Sequence, residues 1–226
     1  MTEDYAYLDL PRPDIYRMIP ADGKIIGSIG CGRGATEARL VAEGREVHGV
    51  DVSPQAIEDA RPRLTSARLI KPSEVSPFPE SSLDGLILAD VLEHLPMAWN
   101  KLRSFARAVK PGGWVVISVP NNRYADALFP FLFGGDWREQ ETGIFDQTHI
   151  QVMTHKRLDR WCRAAGLSKE VEFNCYDNRF LQRNIYRIMN LTSFGLLRSF
   201  FMYEVQARYR RLESGKALGP MSSVAS

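Results

Sequence analysis

The chain is poor in cysteine, in long apolar runs and in any excess of charge of one sign. Its three cysteines, Cys31, Cys162 and Cys175, are spaced neither as a CxxC redox pair nor as a zinc site, so a reduced, cytoplasmic chain is expected. No apolar run approaches the roughly 18 residues that span a bilayer, and the acidic N-terminal segment does not resemble a secretory signal. A net charge of +2 does not favour a polyanionic partner, and we expect no nucleic-acid partner.

The remaining composition is that of an ordinary soluble globular protein. Apolar residues make up 44% of the 226 positions and charged residues 25%. This length predicts one compact domain with an embellishment rather than two independent domains. We place that domain at residues 1–213 and expect the small, polar tail at 214–226 to be disordered.

Short apolar segments alternate with helical patterns along the first 120 residues, and this rhythm predicts right-handed crossovers and a parallel sheet. The predicted strands cover 24–29, 46–52, 67–70, 86–89 and 114–119, and the helices cover 35–43, a segment from Pro54, and 99–109. The fold class is therefore α/β, with a doubly wound and mostly parallel sheet.

The last third of the chain predicts a different arrangement. A helix over 155–165, capped by Thr154 and ended by Gly166, precedes two segments of strand composition at 171–175 and 201–209. Together these two strands form an antiparallel hairpin that completes a seven-stranded sheet. Residues 177–200, between them, predict a helical insertion or lid.

Glycine is concentrated immediately after the first predicted strand, at Gly30, Gly32 and Gly34. Such a loop allows a ligand to approach the backbone at a helix N-terminus closely. An acid at the end of the second strand is expected about 20 positions later, where it accepts hydrogen bonds from ribose, and Asp51 stands 21 positions after Gly30. The same loop also fits the G-x-G-x-x-A form of a dinucleotide fingerprint.

Motifs further along the chain decide between these two alternatives. The segments IIGSIGCGRGA, HGVDVS, SPFPESSLDGLILADVLEHL and VKPGGWVVISVPN follow the order and spacing of class I S-adenosylmethionine-dependent methyltransferases, which the chain resembles over 15–167. FGGDW followed by GIFDQTHI resembles a branch of this family associated with polysaccharide and cell-surface glycan biosynthesis. The resemblance implies a Rossmann-like fold, S-adenosylmethionine as cofactor and methyl transfer as the activity.

The resemblance also implies a set of cofactor-binding residues. The glycine loop would hold the methionine moiety, the acid after the second strand the ribose, and the residues after the fourth strand would flank the sulfonium. These residues are Gly30, Cys31, Gly32, Gly34, Asp51, Val52, Ala89, Asp90 and Val91, with His94 nearby.

Two positions depart from the family pattern. Ser28 stands where an acid is usual, and Lys71-Pro72-Ser73-Glu74 replaces a second acid, whose role Glu74 could take over. These departures keep open a cofactor-binding regulator without turnover.

Methyl transfer to a sugar hydroxyl would be helped by a base, and histidine suits that task. We predict His149 as the base, with fixing of the loop backbone as its alternative role. Asp146 could orient its ring or cap a turn. His94 is expected mainly to shape the cofactor pocket, His48 to be a structural strand residue and His155 to lie at the surface.

Trp137 and the aromatic cluster at 129–133 stand where the family forms its acceptor pocket, although clustered aromatics are more often core. Asp90 with Asn121-Asn122 faintly resembles a metal-ligand set. An ordinary turn explains the asparagines better, and no metal is predicted.

The leading acceptor is therefore a sugar of a polysaccharide or glycoconjugate, and the alternative is a quinone-like or natural-product hydroxyl. Residues 177–200 carry four arginines among apolar residues. They could contact the inner face of an anionic membrane peripherally, grip acceptor phosphates or be solvated. The sequence does not indicate the oligomeric state.

Overall fold

A computed structural model describes residues 9–137, 139–176 and 180–213. Its seven strands form one sheet in the order β3-β2-β1-β4-β5-β7-β6. The pairs among β1 to β5 are parallel, and β7 alone among the described strands runs opposite, between β5 and β6. The strands are β1 (Ile25–Ile29), β2 (Glu46–Asp51), β3 (Ser66–Leu69), β4 (Leu83–Ala89), β5 (Val109–Pro120), β6 (Leu167–Cys175) and β7 (Glu204–Arg211). The predicted doubly wound sheet with a C-terminal antiparallel hairpin is confirmed.

The helices cover both faces of this sheet and the ends of its strands. They are α1 (Pro13–Tyr16), α2 (Ala38–Ala42), α3 (Pro54–Ala60), α4 (Ala98–Ala108), α5 (Ala125–Gly134), α6 (His155–Ala164), α7 (Phe180–Thr192) and α8 (Arg198–Phe201). A short 3₁₀ helix covers Leu92–His94.

Side-chain caps begin two of these helices. Ser53 accepts a hydrogen bond from the Ala56 amide (3.3 Å) at α3, and Thr154 accepts one from the Arg157 amide (3.2 Å) at α6. The cap predicted at Thr154 is thus present. Helix α2 is shorter than predicted, because 35–37 form turns in which Thr36 Oγ1 accepts the backbone N–H of Arg12 (3.0 Å).

The core lies in two layers because successive strand residues point to opposite faces. On one face, Leu86 and Leu88 of β4 pack in a cluster with α4 and α6. On the other, Ile87 joins the cluster that includes residues of α1, α2 and α3. A sheet covered on both faces exposes its ends, and the carboxyl ends of β1, β2, β4 and β5 meet at one edge, here called the carboxyl edge.

Strand β5 begins earlier than predicted. Val109 pairs with Leu83 before the turn at 110–113, and Trp114 resumes pairing opposite Gly85. Gly112 has φ +79°, which allows this excursion within the strand. The last strand also shifts, since Phe201 belongs to α8 and β7 starts at Glu204.

The aromatic cluster at 129–133 is not core, so that expectation is wrong. Phe129, Phe131 and Leu132 on α5 are about half exposed, and Phe133 is 86% exposed. Helix α5 follows β5 and leaves most of its large side chains outside both core layers. Among the described residues, no helix is long and apolar enough to cross a membrane. The tail at 214–226 and residues 177–179 of the insertion lie outside the described residues.

Candidate active site

The glycine loop after β1 forms one wall of a crevice at the carboxyl edge. Gly30, Gly32 and Gly34 all have positive φ, at +69°, +51° and +75°. A Cβ on Gly30 would lie 2.6 Å from Cγ2 of Val91, which follows β4. The glycine loop and the segment after β4 therefore lie in contact, with no room for a side chain at position 30. This glycine cradle fits the close approach of a cofactor to the backbone.

Asp51 ends β2 beside this loop, as predicted. Its carboxylate accepts hydrogen bonds from the backbone N–H of Gly32 (2.9 Å) and of Ser53 (2.9 Å), and the residue is 2% exposed. The predicted ribose-binding acid is thus also a brace that holds the glycine loop. Cys31 is buried within the loop, and Val52, next to Asp51, is half exposed.

A buried acid lies next to Ser28, although position 28 itself is not acidic. The Ser28 hydroxyl donates to Oε1 of Glu37 (2.7 Å), and both residues are buried. Burial raises the pKa of the Glu37 carboxyl. A carboxyl group therefore lies next to position 28, and it belongs to the residue that precedes α2, which the motif comparison did not reveal.

Asp90 is the centre of an ionic cluster after β4. It has φ +54°, accepts a hydrogen bond from the Ser118 hydroxyl (2.7 Å) and pairs with Arg12 (2.6 Å). Arg12 also pairs with Asp14 (2.7 Å) and Glu204 (3.2 Å). Burial, and then the charge of Asp90, raise the pKa of Glu204 to about 8.

Three carboxyl groups therefore share one guanidinium in this cluster. The raised pKa of Glu204 favours its neutral form, but Asp14 and Asp90 still outnumber the one guanidinium, which gives a negative potential that suits a cationic ligand. Sequence reasoning missed Arg12 and Glu204, because Arg12 lies 78 residues from Asp90 and 192 from Glu204.

His94 and His149 lie side by side, with ring centroids 4.8 Å apart in an edge-on arrangement. His149 Nδ1 lies 3.2 Å from the Ile144 carbonyl oxygen, which can only accept, so Nδ1 carries the proton. Thr148 Oγ1 lies 2.6 Å from Asp146 Oδ1 and 2.9 Å from His94 Nδ1. Because its own proton goes to the carboxylate, Thr148 accepts from His94 Nδ1.

Both imidazoles consequently keep a lone pair on Nε2. Burial, and then the neighbouring His149, lower the pKa of His94 below its usual value, which favours its neutral form. Asp146 also accepts from the Thr148 amide (2.8 Å), so it caps a turn and orients His94 through Thr148 rather than holding His149. Sequence reasoning placed one base here, and the structure places two side chains with that capacity.

Glu93 lies beside the two histidines, fully buried. Neither of its carboxyl oxygens has a hydrogen-bond partner among the described residues. Burial, and then the charge of Asp90, raise its pKa well above the usual value. The possible ligand atoms of Glu93, His94 and His149 all lie within 4.8 Å of one another, so this trio could hold a cation.

The asparagines considered as metal ligands serve the backbone instead. Asn121 Nδ2 donates to the carbonyl oxygens of Ser199 and Met202, and Asn122 Oδ1 accepts from the Met153 amide. The interpretation of Asn121-Asn122 as a turn after β5 agrees with these bonds.

A cavity of about 720 Å³, here called the acceptor cavity, opens next to the histidine pair. Its walls are α5, the loop at 140–145 and Tyr203. Ile144 lines it and accepts the hydrogen bond of His149, which ties the cavity wall to the histidine. Trp137 packs against Phe145 of this wall, with ring centroids 4.6 Å apart.

Three predicted residues lie apart from this centre. Glu74 pairs with Arg68 on β3 (3.0 Å). His48 contacts the Ser66 hydroxyl from β2 (2.8 Å), as a strand residue would. His155 was expected at the surface, and this is wrong, because its side chain is 13% exposed and Nδ1 contacts Glu172 (2.9 Å).

Comparison with known proteins agrees with this geometry. The methyltransferase domain family matches residues 12–170. A ubiquinone biosynthesis O-methyltransferase of Alkalilimnicola ehrlichii is 30% identical over 169 residues, which are 70% of this chain and 68% of that protein. The alignments with this and two further relatives of that name span about two thirds of the relatives' own length.

Solved structures show the fold. An S-adenosylmethionine-dependent methyltransferase of Archaeoglobus fulgidus superimposes with a TM-score of 0.59 at 20% identity, over 83% of this chain and 86% of that one. A possible histamine N-methyltransferase of Thermotoga maritima gives a TM-score of 0.61 at 14% identity, over 88% and 86%. At these identities the likeness shows the fold alone.

Proposed function

The chain belongs to the S-adenosylmethionine-dependent methyltransferases, and we propose that it methylates a hydroxyl oxygen of a quinone-like or related phenolic small molecule. The observation that carries this proposal is the histidine pair linked to the wall of an aromatic cavity. His94 and His149 lie side by side, and Nδ1 of His149 contacts the carbonyl oxygen of Ile144, which lines the acceptor cavity.

The cofactor crevice fits S-adenosylmethionine through its glycine cradle and its excess of acid. When bound, the cofactor supplies an electrophilic methyl group on a positively charged sulfonium. The two aspartates of the Arg12 cluster, Asp14 and Asp90, outnumber its one guanidinium and give the surroundings the negative charge that suits this cation. The residues proposed to hold it are Gly30, Cys31, Gly32, Gly34, Asp51, Val52, Ala89, Asp90, Val91 and His94, without Glu74, which pairs with Arg68 apart from the crevice.

The chemistry of the chain itself is orientation and removal of a proton. A phenolic ring in the acceptor cavity would lie against Tyr124, Phe129 and Phe145. As its oxygen is methylated, the hydroxyl proton passes to Nε2 of His149 or His94. Asp146, acting through Thr148, is a positioning residue for His94, and Trp137 supports the wall at Phe145.

The choice of acceptor rests on the aromatic cavity and on the relatives. The relative from Alkalilimnicola ehrlichii, which aligns with 70% of this chain, is named as an enzyme of ubiquinone biosynthesis. The relatives therefore favour the small-molecule alternative over a sugar acceptor. Edge and face contacts with aromatic rings contribute about 0.5–1.5 kcal/mol each, and the cavity offers several such rings. A glycan acceptor is the competing outcome of the acceptor test.

The proposal is tested by His94→Asn, His149→Asn and the double variant, with His48→Asn on β2 as the matched control. We expect the double variant to lose about 10²–10⁴-fold in kcat with a catechol acceptor, while the cofactor affinity of His149→Asn, measured by calorimetry, changes little. In the wild type, kcat should fall only on the acidic side of the ordinary histidine pKa, because the pKa of His94 is lowered.

Three outcomes would contradict the proposal. Full activity of the double variant would remove the base role. Turnover only with sugar acceptors would restore the glycan alternative, and cofactor binding without turnover on either class would favour a regulator. Loss of wild-type turnover on adding a chelator would assign Glu93, His94 and His149 to a cation instead of to proton transfer.

A further inference from the structure

Helix α7 and its neighbours form a second cavity at the carboxyl edge, here called the basic cavity. It measures about 690 Å³ and lies between the end of α1, the end of β6 and α7. Arg17, Arg183 and Arg187 line it together with Tyr176. Most of its lining lies beyond residue 170, where the family match ends.

Two of the arginines that line the basic cavity, Arg17 and Arg187, have no carboxylate partner among the described residues. The acid that lines it, Asp14, is already paired with Arg12 (2.7 Å). Arg17 donates to the Asn174 carbonyl (3.1 Å) and to Gln206 (3.2 Å), both uncharged groups. Converging guanidinium groups of this kind bind phosphate oxygens, often two at a time.

The rim of the basic cavity is apolar and faces outward. Ile188 and Leu191 belong to its lining and are 61% and 77% exposed. The turn after α7 continues this surface with Phe194 and Leu196, at 95% and 84% exposure. Between residues 180 and 201 the sequence has three arginines and no acidic residue.

A basic and apolar helix of this composition is typical of proteins that lie at the interface of an anionic bilayer. We propose that α7 rests on an anionic phospholipid surface, with a lipid phosphate in the basic cavity and Phe194 and Leu196 among the acyl chains. The charge of the cavity supports the phosphate, and the apolar rim supports a lipid rather than a free phosphate, which would leave these side chains in water. The inference does not depend on the methyl acceptor, since binding is measured without turnover.

The experiment is sedimentation of the full chain with vesicles of phosphatidylcholine alone or with one third phosphatidylglycerol. Each basic residue near such a surface changes affinity by about fivefold, so Arg17→Gln/Arg187→Gln should bind the anionic vesicles roughly thirtyfold more weakly. Arg103→Gln/Arg163→Gln, which removes the same charge from exposed positions of α4 and α6, is the matched control and should bind like the wild type. Phe194→Ser/Leu196→Ser should weaken binding to both vesicle types.

If Arg17→Gln disturbs the fold, Arg187→Gln alone still tests the phosphate site, because Arg187 is exposed. Equal loss in both arginine pairs would overturn the basic cavity as the phosphate site. Binding of glycerol phosphate or inorganic phosphate in the cavity without vesicle binding would assign it to a soluble phosphate. A concentration-dependent dimer that buries Phe194 would show that a second copy of the chain covers this surface, and would overturn the proposal as well.

Discussion

The cofactor crevice and the acceptor side of the same carboxyl edge are built in opposite ways. In the crevice, Asp51 and Glu93 are almost fully buried, and backbone groups reach carboxylates at hydrogen-bond distance. On the acceptor side, Phe133 of α5 is 86% exposed and Phe194 of the turn after α7 is 95% exposed. The first region is packed against the sheet and the core, whereas the second exposes apolar surface to solvent.

This difference teaches where the two kinds of specificity come from. Binding of a common cofactor uses backbone positions that few side chains can disturb. Selection of an acceptor, in the proposed function, would use side chains on α5 and the loop at 140–145, which lie outside the two large core layers. Substitutions should therefore act through sterics and charge in the crevice, and through contacts in the acceptor cavity.

We expect the largest effect from Gly30→Ala, which tests the closed packing of the cofactor crevice. The new Cβ would lie 2.6 Å from Val91, and forcing a methyl group into a filled contact costs about 1–3 kcal/mol. Cofactor affinity measured by calorimetry should drop roughly 5- to 150-fold. Gly44→Ala is the control, since Gly44 has a similarly positive φ with nothing within 4 Å of the added carbon. Equal cofactor affinity in the two variants would show that the crevice is not closed at Gly30.

A smaller effect is expected from Glu204→Gln on the dependence of stability on pH. Because the folded state raises the pKa of Glu204 from 4.5 to about 8, its contribution to stability is present at low pH and is lost as pH rises from about 4.5 through about 8. The wild type should therefore lose on the order of 1–2 kcal/mol more than the variant between pH 7 and pH 8.5. Thermal melts at both pH values measure this, with Glu58→Gln on the exposed side of α3 as control. Parallel curves for wild type and Glu204→Gln would count against a buried, protonated Glu204.

The smallest effect separates two neighbouring rings on α5. Phe129 and Phe133 have ring centroids 6.0 Å apart and are both exposed, but only Phe129 lines the acceptor cavity. Loss of one aromatic contact of about 0.5–1.5 kcal/mol predicts a rise in acceptor KM of roughly 2- to 12-fold for Phe129→Ser. Phe133→Ser should leave KM unchanged and alter the free energy of unfolding by less than about 0.5 kcal/mol. A larger change in KM at Phe133 would move the acceptor away from the cavity.

The cofactor crevice was largely predictable because its signals are local. Gly30, Gly32 and Gly34 follow one strand directly, and Asp51 ends the next, so parallel pairing alone brings them together. The pairing of Arg12 with Asp90 and Glu204 was not predictable, because its partners meet only after the sheet forms and β7 inserts beside β5. The histidine pair was half predicted, since His149 was named while its neighbour His94 was assigned to the pocket wall.

The aromatic run at 129–133 shows the limit most clearly. The sequence pattern of an apolar segment after a strand is the same whether the segment is buried or exposed, because its neighbours come from distant parts of the chain. Sequence by itself determined the doubly wound sheet, the glycine loop and the acid in register with it, since these follow from periodicity and from backbone geometry over a few residues. Only the tertiary structure decided which charges face one another, which histidines lie in contact and which apolar side chains remain exposed, because each depends on contacts between residues tens to hundreds of positions apart.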